Sequence, residues 1–197
     1  MNEILPDHCA KEAVVLCCGN PLYGDDGFGP AVAARLNAET VPDWAAVIDT
    51  GTGVRGLLLD IAMSEHRPRL VVIVDAVDLV SARESGDVRV ADVGRRDDLE
   101  NSAVVAGHTV PEPGEVFEIP LDRMDEATPV ETSVHTAPTS RLLRSLREAG
   151  VRVEVIVCQV ASVSERMEHR LSPVVADAVV RASEWIETRF LRDAPGN

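Results

Sequence analysis

The sequence predicts a three-layer α/β sandwich with a mostly parallel central sheet of about five strands flanked by helices. Three observations lead there. Apolar, β-branched runs at Ala13–Cys18, Leu70–Val74 and Val151–Cys158 have the character of strands buried in a sheet. Segments with helical spacing alternate with these runs, the order expected of βαβ units. No internal repeat divides the 197 residues, so a single domain spanning 1–197 is the simplest organisation.

The first strand ends at a glycine-rich turn, Gly19-Asn20-Pro21-Leu22-Tyr23-Gly24-Asp25-Asp26-Gly27-Phe28-Gly29-Pro30. Pro30 marks a helix start, where its fixed φ and missing N–H do no harm, and the first helix is expected around Pro30–Glu39. Gly24, Gly27 and Gly29 are expected to supply positive φ angles and close backbone approaches. A short strand near Ala46–Ile48 runs into a second such turn, Asp49-Thr50-Gly51-Thr52-Gly53. A helix over Arg55–Ser64 would bury Leu57, Leu58, Ile61 and Ala62. Leu70–Val74 is the cleanest central strand and ends on Asp75. The charged stretch Asp78–Gly114 reads as a loop-rich excursion, Gly114–Ile119 as an edge strand, and Leu121–Thr132 as another irregular connection. In Pro138–Ala149 the leucines at 142, 143 and 146 share a helical face, and Gly150 suits the position after the helix end. A strand at Val151–Cys158 follows. The last helix begins with Ser172 as N-cap and Pro173 at the first position, its apolar stripe being Val175, Val179, Ala182 and Ile186. A frayed tail, Asp193–Asn197, closes the chain.

Composition narrows the class. Hydrophobic residues make up 45%, which suits a globular core. Thirty-three acidic residues against 19 basic ones give a formal charge of −14, which disfavours nucleic acid and anionic membranes as partners. No apolar run approaches the ~20 residues that cross a bilayer, and the opening residues lack a basic segment followed by an apolar one, so a cytoplasmic protein is expected. The four cysteines, Cys9, Cys17, Cys18 and Cys158, include no C-x-x-C pair and read as buried thiols.

The chemistry is carried by carboxylates at strand ends. The first turn is neither G-x-G-x-x-G nor a G-K-[ST] loop, and two adjacent carboxylates repel a pyrophosphate. A metal or another positive group suits them better. The plainer alternative is that one aspartate caps the helix while the other is solvated. In the predicted sandwich, right-handed crossovers put strand carboxyl ends on one edge, so Asp26, Asp49 and Asp75 would converge there. His135, in Ser133-Val134-His135-Thr136-Ala137-Pro138, lies in a loop at a helix entrance. Alone it reads as a surface or capping histidine; with two carboxylates it completes a mixed oxygen and nitrogen site suited to nickel, zinc or iron. His8, His66, His108 and His169 are weaker candidates. No G-x-S-x-G elbow or H-E-x-x-H helix is present, which disfavours a conventional serine or zinc protease, and buried cysteines disfavour a cysteine protease.

The glycine-rich Gly19-Asn20 through Asp25-Asp26-Gly27-Phe28-Gly29, then Asp49-Thr50-Gly51-Thr52-Gly53, Val74-Asp75-Ala76 and Ser133-Val134-His135, occur in the order of the [NiFe]-hydrogenase maturation proteases. The chain resembles that family from about Val14 to the C-terminal helix, and most of all the branch associated with coenzyme F420-reducing hydrogenases. The resemblance implies an α/β aspartyl-type endopeptidase that removes the C-terminal extension of a hydrogenase large-subunit precursor after nickel insertion. By motif, Asp26, Asp75 and His135 match its nickel-recognising positions, and Asp49 matches an acidic position nearby. The first of these is commonly Glu in the family and is one methylene shorter here. The excursion before Gly114 is longer than usual, and Gln159 has no mapped role. Two carboxylates and an imidazole form too sparse and hard a set to retain nickel tightly, so the nickel is expected to come with the precursor, held by its thiolates. Two rival readings are a non-catalytic nickel-recognition or chaperone protein for hydrogenase assembly, and an unrelated acidic metal-binding hydrolase.

Overall fold

The computed structural model describes residues 6–39, 41–79, 111–121, 140–162 and 166–195. Within them, β1 (Ala13–Cys18), β2 (Ala45–Gly51), β3 (Leu70–Val77), β4 (Val116–Glu118) and β5 (Arg152–Gln159) form one sheet in the order β2-β1-β3-β5-β4. All pairs are parallel except β4 with β5, which is antiparallel and lies at the sheet edge. Four α-helices flank it among the described residues: α1 (Phe28–Ala38), α2 (Val54–Met63), α3 (Ser140–Glu148) and α4 (Pro173–Ile186), the last continuing into a π-helical turn, Glu187–Leu191. The expected sandwich and its mostly parallel sheet are present.

Alternation along each strand divides the core into two layers. β1 sends Ala13, Val15 and Cys17 to one face, where Phe28, Val32 and Leu36 of α1 and Val175, Ala182 and Ile186 of α4 cover them. Val14, Leu16 and Cys18 face the other way, against Val54, Leu58 and Ile61 of α2 and Leu143 and Leu146 of α3. Every residue of β1 is buried, as a central strand covered on both faces must be. All four cysteines are buried and free, as their sequence context implied.

Several element boundaries differ from expectation. α1 starts at Phe28, placing Pro30 at its third position; the N–H that proline lacks would still be among the first four, which have no partner inside a helix. β2 and β3 run further, so Asp49 and Asp75 lie inside strands and not after them. The cause is the parallel ladder, which continues through Asp75↔Val157 and Val77↔Gln159. Leu57 and Ala62 are only partly buried beside Leu58 and Ile61. Of the three glycines expected to bend the first turn, only Gly24 has a positive φ, +62°. Gly150 ends α3 as expected: at φ +89°, its N–H donates to the Arg147 carbonyl, and Val151 N–H to that of Leu146, which is a Schellman closure. The bulk of the expected excursion (80–110), the connection after Leu121 and His135 lie outside the described residues.

Candidate active site

The strand order reverses between β1 and β3, since the chain leaves β1 toward β2 and returns past β1 to β3. In open parallel sheets the crevice beyond the carboxyl ends at such a reversal is where ligands bind. The glycine-rich turn emerges from β1 at this point, and the end of β3 lies against its 3-10 segment, Asp25–Gly27.

Local geometry explains the glycines. Gly19, at φ +133°, lets the chain fold back on itself: a Cβ there would sit 2.0 Å from the Asp26 carbonyl oxygen. The turn closes through Asn20 N–H, which donates to the Asp26 carbonyl at 3.1 Å and to its Oδ2 at 2.9 Å. Gly29 serves close approach, because a Cβ there would meet the Cys18 carbonyl oxygen at 2.0 Å. Backbone and carboxylate of the partly buried Asp26 are thus both held at the end of β1.

Asp75 is fully buried on β3, its Oδ1 accepting the Ala76 N–H at 2.9 Å. Asp49 is exposed on β2, its Oδ1 accepting the Gly51 N–H at 2.9 Å. Register places Asp49 and Val74 on either side of Cys17. By alternation Asp49 belongs to the α1/α4 face, with Ala45 and Val47, whereas Asp75 belongs to the α2/α3 face, with Val71 and Ile73. The structure therefore joins the Asp26 turn to the Asp75 strand, with Asp49 one strand away on the opposite face. Among the described residues no three His, Cys, Asp or Glu side chains are gathered to hold an ion.

The thiols beneath this edge are inert at neutral pH. Burial, then the charges of Asp49 and Asp75, pushes the Cys17 thiol far up. Burial, then Asp75, raises Cys18 well above its ordinary value. Cys158 is pushed up to about 12 by burial, and then by Asp25. Arg181 lowers the Cys158 value, but burial and Asp25 outweigh it, and for Cys17 and Cys18 the nearby charges are those of aspartates, the reverse of the setting a nucleophilic thiolate needs.

Asp25 behaves unlike its neighbour and unlike either sequence reading: it neither caps α1 nor meets solvent. At 2% exposure, it accepts the Ser172 N–H on Oδ1 at 2.6 Å, and the Ser172 hydroxyl and Ala161 N–H on Oδ2, each at 2.9 Å. Ser172 accordingly precedes α4 as expected, but its hydroxyl makes no cap bond to the helix. Nothing local in the sequence signals this pairing. Gln159 also acquires a role: its buried amide accepts the Leu79 N–H and donates to the Val160 carbonyl, both at 3.0 Å, tying the ends of β3 and β5.

A sequence profile described as hydrogenase maturation protease matches residues 102–189. The chain is 28% identical to a putative hydrogenase maturation protease of Methanocaldococcus jannaschii, over 89% of this chain and 94% of that one. It is 29% identical to the coenzyme F420 hydrogenase subunit delta of Methanothermobacter thermautotrophicus, over 89% and 92%. Against the hydrogenase 3 maturation protease of Escherichia coli it is 35% identical, over 50% of this chain and 58% of that one. Among solved structures, the endopeptidase HycI of Escherichia coli superposes with a TM-score of 0.61 at 26% identity, covering 89% of each chain. Fold and relatives together define a peptide hydrolase. In sequence and in fold the chain is similar to the hydrogenase maturation proteases.

Proposed function

We propose that this protein removes the C-terminal extension of a [NiFe]-hydrogenase large-subunit precursor after nickel has been inserted. The observation that carries the reading is the meeting of the Asp26 turn with the Asp75 strand at the reversal of the sheet. In this reading Asp26, Asp75 and His135 recognise nickel that the precursor already holds, so the metal belongs to the substrate. Oxygen and imidazole donors are harder than thiolates, which favours sampling a thiolate-held nickel over extracting it. Recognition then depends on whether the metal is in place, and the adjacent peptide bond is positioned only on a loaded precursor. The exposed Asp49 carboxylate is the candidate proton acceptor for an attacking water.

The test is incubation with hydrogenase large-subunit precursors, nickel-loaded and nickel-free, followed by intact mass of the precursor. Loss of the C-terminal extension from the loaded form alone is expected. Cleavage of both forms would remove the nickel checkpoint, and binding of loaded precursor without cleavage would favour an assembly chaperone.

A further inference from the structure

The Asp25 carboxylate joins parts of the chain 136 and 147 residues apart, at Ala161 and Ser172. The segment so held follows β5 and precedes α4, and it touches the same turn a second time. Gly24 N–H donates to the Glu168 carbonyl at 2.7 Å, and Glu168 N–H to the Leu22 carbonyl at 2.8 Å, a short parallel pairing of Tyr23 with Glu168. The strip Arg166-Met167-Glu168-His169-Arg170 is exposed throughout, Met167 at 65%. It therefore runs along the turn that presents Asp26, with its side chains open to a bound chain.

We infer that Asp25 is a positioning residue: its buried carboxylate fastens the segment after β5 to the turn, fixing Asp26 and laying the 166–170 strip beside it as a wall for the client polypeptide. The chemistry of the carboxylate suits this task. Both oxygens are occupied by N–H and O–H donors, which an ionised carboxylate accepts and an amide cannot, because one end of an amide is itself a donor. The Ser172 hydroxyl is spent on Asp25 and not on capping α4, so the sequence gives up a local bond for a long-range one. The role in client contact rests on the proposed endopeptidase reading; the fastening itself does not.

The experiment has two arms, both using the full chain. In amide hydrogen exchange, Asp25→Asn and Ser172→Ala are each expected to speed exchange at Ala161, Glu168 and Ser172 by about tenfold, while β1 and β3 keep their protection. Ser172→Thr, which retains the hydroxyl, is expected to restore the native rates. In processing of a nickel-loaded precursor, Asp25→Asn and Ser172→Ala are expected to raise KM by about tenfold with kcat within about twofold. The double variant is expected to be no worse than Asp25→Asn alone, since both remove one connection. Unchanged exchange at the three amides, or uniform acceleration across the sheet, overturns the fastening. A fall in kcat at constant KM, or additive losses in the double variant, overturns the positioning role. Absence of processing by the unmodified protein refutes the proposed function instead, and leaves the exchange arm to decide on Asp25.

Discussion

Asp25 and Asp26 are adjacent, chemically identical, and put to different uses. Asp26 stays half-buried at the end of β1, where its carboxylate accepts the Asn20 N–H, while Asp25 is sealed beneath the segment before α4. Asp26→Asn keeps an acceptor for Asn20 N–H, so we expect the urea midpoint to hold while precursor processing falls by about 10²-fold or more; processing at the native rate would refute any role for this carboxylate in the reaction. Gly29→Ala should act in the opposite sense. Alanine gains about 1 kcal/mol of helix propensity, but its methyl meets the Cys18 carbonyl at 2.0 Å, and backbone on both sides leaves little room to yield. A net loss of about 2 kcal/mol by urea unfolding is the expected result. The carboxylate-bearing turn was legible because glycine, proline and paired aspartates after an apolar run are local signals. Which aspartate would be buried was not, since its partners are 136 and 147 residues further on.

At the scale of elements, helix ends were easier to read than strand ends. Ser172-Pro173 and Gly150 mark α4 and α3 by their own backbone requirements. A strand stops where its neighbour stops pairing, so the continuation of β3 to Val77 depends on β5, some 80 residues later. Gln159 is the side chain that finishes this pairing. Gln159→Leu preserves bulk but leaves the buried Leu79 N–H without its acceptor, and we expect a loss of about 1–3 kcal/mol in thermal or urea unfolding. The edge strand β2 is blunted by its own surroundings: Ala45 N–H donates to the Pro42 carbonyl at 2.9 Å, and Asn37 Nδ2 donates to the Val47 carbonyl at 3.1 Å. Such contacts occupy groups that would otherwise template pairing with another chain.

Across the whole molecule, buried thiols link stability to alkaline pH. Cys158 rises from its ordinary 9.0 to about 12 in the folded protein, and Cys9, Cys17 and Cys18 are raised as well. Above pH 9 the unfolded chain releases protons that the folded chain keeps, so stability is complete below that pH and declines as pH rises toward 12. Each such thiol contributes a slope of at most about 1.4 kcal/mol per pH unit, and Cys158→Ala should flatten the decline measured by urea unfolding between pH 9 and 11. Fold class, strand burial and cysteine state were readable from composition and periodicity, because they follow from which residues avoid water. The joining of Asp26 to β3, with Asp49 on the other face, depends on strand order and register, which no local pattern states. The Asp25 connection also bears on the order in which the protein is made. β1, β2 and β3 are complete by Val77, yet the turn between β1 and α1 is not fastened until Ser172 has been synthesised and β5 has entered the sheet. A nascent chain halted before α4 would carry Asp49 and Asp75 on their strands but Asp26 on a turn that lacks this fastening, so the ribosome holds a protease that is spelled out early and armed last.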